Sequence, residues 1–189
     1  MNLYPKEILL KDGRPALLRP VELGDAAQLI PYLRACYEER PYLSRAPEEF
    51  SLTLEQEEAW IRRNQGPGSL CLVAELEGQM VGNARIYALS QGRKRRHRAS
   101  LGITVHKAYW SLGLGRALMT ELLAYGRDWG FEQVELEVFG QNLRAQGLYR
   151  SMGFVPYGEL PNAFHLKDGS CDTEILMVCD WRGEGHAQR

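Results

Sequence analysis

Hydrophobic and polar positions along the chain mark out its elements. Leu101–Val105 is a short apolar, β-branched run, the pattern of a buried strand. Beyond it, Leu114, Leu118, Leu122 and Tyr125 recur at helical spacing, and Gly113 and Gly115 stand where one pattern gives way to the other. Before this centre, Glu7–Leu10 and Ala16–Arg19 flank the turn sequence Lys11-Asp12-Gly13-Arg14, which predicts a hairpin or a bent first strand. Asp25 is positioned to cap a helix over Ala26–Glu39. Pro31 should kink or restart that helix, because proline has no amide hydrogen to donate. Glu39–Phe50, broken by Pro41 and Pro47, reads as loop. Thr53-x-x-Gln56 is a capping box for a helix to about Arg63, which Gln65-Gly66-Pro67-Gly68 ends. Leu70–Leu76 and Met80–Leu89 are strands around Glu77-Gly78-Gln79, and the basic connection Gln91–Arg98 leads into the central strand. After the central helix come a strand at Val134–Phe139 and a helix at Asn142–Met152 that stops at Gly153. Phe154–Tyr157 and Phe164–Leu166 are extended, and Lys167-Asp168-Gly169 turns into Ser170–Val178 as a last hairpin. This order predicts one α/β (α+β) domain over 1–180, a mixed sheet with helices on its faces, and a frayed tail over 181–189.

Composition narrows the partners. At 189 residues the chain can bury a sizeable core as one domain. A net charge of −1 argues against a general nucleic-acid binder. No apolar run approaches the roughly 20 residues that span a bilayer, and Met1–Pro15 has no signal-peptide core, so no membrane partner is expected. Cys36, Cys71, Cys171 and Cys179 show neither metal nor redox spacing, which predicts no metal site and reduced thiols in the cytoplasm.

A strand, a glycine turn and a helix make a device for holding phosphate. The first helix amides have no intrahelical partner and point outward at the positive end of the dipole. Glycine lets an anion approach the backbone without meeting a Cβ. A dinucleotide fold would need a third glycine where Leu118 stands, and a Walker loop would need Lys-Ser/Thr where Arg116-Ala117 follow Gly115. What is left is x-x-x-Gly-x-Gly over Trp110-Ser111-Leu112-Gly113-Leu114-Gly115, beside the alternative that these glycines only turn the chain. The pattern resembles the pyrophosphate loop of the GNAT N-acetyltransferases, which bind acetyl-CoA. A second motif of that family follows in order, Asn142-x-x-Ala145-x-x-Leu148-Tyr149-x-x-x-Gly153-Phe154, and His97–Val105 is similar to its fourth strand, H-x-A-x-L-G-I-x-V. The resemblance runs from about Arg19 to Val178.

The resemblance implies a mostly antiparallel sheet whose fourth and fifth strands, Leu101–Val105 and Val134–Phe139, splay apart to admit the pantetheine arm. Backbone groups of Ile103, Thr104 and Val105 would pair with that arm as an extra strand. Amides of Ser111, Leu112, Gly113, Leu114, Gly115, Arg116 and Ala117 would receive the pyrophosphate. Trp110 stands where the family usually has Gln or Arg, which removes a side-chain donor and no backbone donor. The Arg116 side chain either adds a charged contact to phosphate or is a solvated helix arginine. Asn142 would bond the pantetheine or cap its helix, or both, and Ala145 would keep space beside CoA. Tyr149 matches the family's acid beside the CoA sulfur; a phenol with pKa near 10 is protonated at neutral pH and can hand its proton to a thiolate. The strand-four carboxylate of many relatives is replaced by Ser100. Glu137, in Leu136-Glu137-Val138 and twelve residues before Tyr149, matches the base of the ribosomal-protein N-terminal acetyltransferases. His97 or His106 through water, or no dedicated base, are the alternatives, as is an exposed structural role for Glu137. Glu48 and Glu49 either attract a cationic amine or solvate a loop, and Arg93–Arg98 is a solvated loop or contacts an acidic acceptor or nucleic acid. The implied function is acetyl transfer from acetyl-CoA to a primary amine in a ternary complex, with a small molecule such as an amino acid favoured. A protein N-terminus as acceptor, or a non-catalytic acyl-CoA-binding domain, are the other readings, and a homodimer is compatible with the family.

Overall fold

The computed structural model describes residues 4–39, 42 and 47–182. Eight strands form one sheet: β1 (Lys6–Leu9), β2 (Pro15–Pro20), β3 (Ser69–Leu76), β4 (Gln79–Ala88), β5 (Arg98–Val105), β6 (Gln133–Phe139), β7 (Val155–His165) and β8 (Cys171–Asp180). Four helices join them: α1 (Ala26–Glu38), α2 (Leu54–Arg63), α3 (Leu114–Trp129) and α4 (Leu143–Ser151). The spatial order is β1-β2-β3-β4-β5-β6-β8-β7. Among the described residues only the β5–β6 contact is parallel; the remaining pairs are antiparallel.

Most elements follow their local pattern. The Thr53 hydroxyl accepts from the Gln56 amide at 3.2 Å and the Gln56 side chain accepts from the Thr53 amide at 3.0 Å, so the capping box starts α2. Glu77 and Gly78 both take positive φ in the two-residue turn between β3 and β4. Leu114, Leu118, Met119 and Leu122 line the buried stripe of α3 at 0% exposure. Each such burial is worth about 1.5–3 kcal/mol. The helix lies close on the sheet because Gly126 has no Cβ; one there would sit 2.9 Å from Ile86 Cδ1.

Several expectations need correction. α1 is one helix with Pro31 inside it, not two. Asp25 stands at the N-cap of α1 but its side chain does not cap that helix. The carboxylate accepts from the Glu22 amide and takes two hydrogen bonds from Arg19, both 2.7 Å, a stronger charge-assisted alternative. Arg98 belongs to β5 rather than to the basic connection. Phe154–Tyr157 and Phe164–Leu166 merge into the single strand β7, whose pairing to β8 is irregular between Leu160 and Phe164. β8 also inserts between β6 and β7, a placement no local pattern encodes. Trp181, assigned to the tail, is buried in the core, its amide bonded to the Glu132 carbonyl at 2.8 Å; residues 183–189 lie outside the described set, as does much of the 39–50 loop.

The strands named four and five from sequence are β5 and β6. They pair over only Arg98↔Gln133, Ala99↔Val134 and Ser100↔Glu135. Beyond that point β5 stays with β4 as far as Val105↔Gly82, and β6 stays with β8 as far as Phe139↔Glu174. Each strand follows the twist of its own neighbour, so the two part. Arg98 and Glu135 close the crotch of this fork with a two-pronged ion pair.

Candidate active site

The fork opens into a cleft of about 960 Å³. Its first wall is main chain. The β4–β5 register, with Leu89 N bonded to Arg98 O and His106 N to Val81 O, turns the peptide groups of Ser100, Gly102 and Thr104 toward β4. The alternate groups, including both those of Ile103 and the amide of Val105, therefore face the gap left by β6. Thr104 thus lends the cleft no peptide edge, and its carbonyl also accepts from Tyr32 Oη at 2.8 Å. The Val105 carbonyl accepts from Trp110 Nε1 at 2.9 Å, so the tryptophan that departs from the family pattern ties the loop to the strand end.

Past that tie the chain enters α3 through strained turns. Ser111 has φ +62° and Gly113, the N-cap, +93°, a conformation that favours glycine. Among the described residues, no protein group accepts from the amides of Ser111, Leu112, Gly113, Leu114, Gly115 and Arg116. Ser111, Gly113, Gly115 and Arg116 line the cleft. Leu114 is buried and Leu112 packs on the core, so their side chains anchor the loop while their amides stay open. The Ala117 amide is spent within the helix, donating to the Gly113 carbonyl at 3.0 Å. A slot of open amides beside an unpaired strand edge fits a diphosphate followed by an extended amide-bearing arm. Two guanidinium groups flank it. Arg116 donates to Ser151 Oγ at 2.7 Å and to Met152 Sδ at 3.2 Å, which holds it against α4. Arg144 lies over the Trp110 ring at 3.0 Å from its centroid, a cation the sequence reading missed.

α4 adds side chains to the cleft. Asn142 caps it, its Oδ1 accepting from the Ala145 amide at 3.2 Å. Asn142, Ala145 and Tyr149 all line the cleft, and Tyr149 is buried with its ring 6.1 Å from that of Phe154. Glu137 reaches the same cleft from β6, and Glu174 reaches it from β8. Burial first, and then the negative Glu137 beside it, push the pKa of Glu174 up. Ser100 lines the cleft without a titratable group, while His97 and His106 do not line it; His106 Nδ1 accepts from the Ala108 amide instead. Glu48 and Glu49 are also outside the lining, and Glu48 pairs with Lys167 at 2.8 Å on the exposed surface.

The second wall is side chains from α1, α2 and β4, among them Tyr37, Trp60, Glu57, Arg85 and Tyr87. The helices and strands that carry them were legible in the sequence, not their role. Glu57 sits one turn before Ile61 on the buried stripe of α2, and a carboxylate in an apolar stripe was the signal available. No group of three metal-ligating side chains occurs among the described residues, and none of their helices is long and apolar enough to cross a membrane.

Known proteins share this arrangement. The model of the acetyltransferase (GNAT) family matches residues 29–154. The L-amino acid N-acetyltransferase AaaT of Escherichia coli is 32% identical over 124 residues, 62% of this chain and 76% of that protein. An acetyltransferase of the GNAT family from Streptococcus pneumoniae superposes with a TM-score of 0.81 at 29% identity, covering 86% of this chain and 98% of that one. The yncA protein of Salmonella typhimurium, solved with its cofactor acetyl-CoA, shares the fold at a TM-score of 0.77 and 21% identity, covering 88% and 94%. Of three other curated relatives that it matches, the chain spans only 43%, 60% and 41% of the length. With a family match over well over half its length and a fork, amide slot and cap motif in the expected order, the chain belongs to the acetyltransferase (GNAT) family of acetyl-CoA-dependent enzymes.

Proposed function

We propose that this chain transfers the acetyl group of acetyl-CoA to the primary amine of a small molecule of amino-acid type, by direct attack in a ternary complex. One observation carries the reading: a single cleft joins the open amides of 111–116 and the free edge of Ile103 to Tyr149 and Glu137. When bound, acetyl-CoA supplies a thioester carbonyl carbon for the amine to attack. The chain's own groups do the rest. Glu137, with Glu174 beside it, takes the proton that the ammonium must lose before its lone pair is available. The Ile103 amide, pointed into the gap, donates to the oxygen on which negative charge develops. As the C–N bond forms and the C–S bond breaks, Tyr149 gives its phenolic proton to the departing sulfur and regains one, the proton that the new amide nitrogen sheds. The open amides of Ser111 to Arg116 and the Asn142 side chain hold the cofactor through the reaction.

A small acceptor is favoured because aromatic rings enclose the second wall, and because the similar Escherichia coli protein carries the name of an L-amino acid acetyltransferase. We assign the protein to the cytoplasm, where its free cysteines stay reduced. The test is thiol release from acetyl-CoA across amino acids, simple amines and peptides bearing free N-termini. Turnover with amino acids supports the reading. Turnover confined to peptides would make this a protein N-terminal acetyltransferase, and tight acetyl-CoA binding with no turnover on any amine would make it a non-catalytic binding domain.

A further inference from the structure

Glu57 is 3% exposed, lines the cleft, and has no hydrogen bond or ion pair for its carboxyl group among the described residues. A buried carboxylate without a partner is costly, and burial pushes its pKa up. A protein keeps such a group where something else completes it. Close by, Arg85 is held between the rings of Trp60 and Tyr87, with its guanidinium carbon 5.4 and 4.5 Å from their centroids. Its Nη1 donates to Asn64 Oδ1 at 3.1 Å, and no described protein group accepts from its Nε or Nη2. Both charges act on the buried Cys71 thiol, which burial has already pushed up to about 12: Arg85 pulls it down and Glu57 pushes it further, so the two flank the same spot on β3.

The sheet register orders these groups across one face. Cys71 on β3 is opposite Arg85 on β4, Arg85 is opposite Gly102 on β5, and beyond Gly102 the fork opens toward Glu137. A Cβ built on Gly102 meets nothing within 4 Å, so the floor between Arg85 and the fork is open space. An acceptor lying on this floor with its reacting amine at the fork therefore meets a cation at Arg85 and a buried acid at Glu57.

Resting on the acetyltransferase reading above, we propose that the acceptor is a diamino acid. Its carboxylate is taken by the open fork of Arg85 and its second, unreacted ammonium by Glu57. A guanidinium is shaped for a planar carboxylate. An ammonium is the partner that turns a costly buried carboxylate into a satisfied pair. A site built to pair a charged group rejects an analogue that lacks it, because its own group is then left unpaired.

The experiment compares matched acceptors. Initial rates are measured with ornithine and lysine, with norvaline and norleucine, which lack the second amine, and with cadaverine, which lacks the carboxylate. Calorimetric titration of ornithine and norvaline into the CoA-saturated protein gives a binding readout independent of turnover. The wild type should favour ornithine or lysine over norvaline and over cadaverine by at least about tenfold in kcat/KM, with a parallel difference in binding. Glu57→Gln should shrink the ornithine-to-norvaline ratio by roughly tenfold or more, mainly through KM, and Arg85→Gln should shrink the lysine-to-cadaverine ratio similarly. Equal wild-type rates and affinities for ornithine and norvaline would overturn the proposal and leave acetyl transfer to amino acids standing, with no variant needed. A Glu57→Gln protein that binds CoA normally but loses both acceptors equally would also overturn it, by making Glu57 a packing residue. No thiol release with any amine would overturn both readings.

Discussion

The two walls of the cleft are made of different material. On the α3 and α4 side the functional groups are mostly peptide amides, open because a helix starts there and because two strands part. On the α2 and β4 side they are side chains, Glu57, Arg85, Trp60 and Tyr87, each held by its own packing. The first wall tolerates many side chains provided that the backbone path is kept. The second changes its meaning with a single residue. A wall built of backbone joined to a wall built of side chains lets one fold host different sites.

The contrast can be broken most sharply at Gly113. Its φ of +93° costs a side-chain-bearing residue about 1–2 kcal/mol, and a branched side chain there would crowd the amides. Gly113→Val should weaken acetyl-CoA binding by roughly 100-fold or more by calorimetry, an effect of about 2.7 kcal/mol or above. Tyr149→Phe should leave that affinity within a few-fold and lower kcat by about 100-fold, the range of a lost general acid. Equal losses in binding and kcat would make Tyr149 part of the first wall's packing.

How far each wall could be read from the chain follows from how it is built. The amide slot is local: a strand, Gly113, Gly115 and a leucine stripe lie within Leu101–Trp129, so periodicity and glycine positions reveal it. Tyr149, the proposed acid, and the cap Asn142 belong to one short helix and its N-terminus and travel together. The acceptor wall is assembled from distant segments. Glu174 meets Glu137 only because β8 slots in beside β6, a pairing set by tertiary packing and not by any turn. That the peptide group of Thr104 turns toward β4 was not legible, because which groups face a gap depends on register, and register is not visible in one strand. Asp25 was misjudged because the ion pair with Arg19, six residues back, outweighs a helix amide.

Smaller perturbations sharpen the comparison on the side-chain wall. Burial and the neighbouring Glu137 raise the pKa of Glu174, so Glu174 gains its charge late. Glu174→Gln should remove any step that Glu174 contributes to the kcat/KM profile, with the plateau kept within a few-fold. A profile with every limb unchanged would separate Glu174 from the reaction. Glu57 has a raised folded-state pKa, so its folded form holds the proton more tightly than the unfolded chain does. It therefore costs stability as pH rises above the ordinary carboxylate range, and the cost is absent below it. Glu57→Gln should accordingly raise the melting temperature at neutral pH by a few degrees and leave it unchanged at strongly acid pH. Last, Arg98→Gln breaks a partly exposed ion pair at the crotch of the fork and should cost no more than about 1 kcal/mol in chemical denaturation.

Backbone amide signals, followed by NMR while acetyl-CoA is added, test the central claim most directly. The account predicts the largest shifts, and the greatest gain in hydrogen-exchange protection, at Ile103 and at residues 111–116, with Ala117 already protected before addition. Saturable binding that leaves those amides unmoved and unprotected would contradict it.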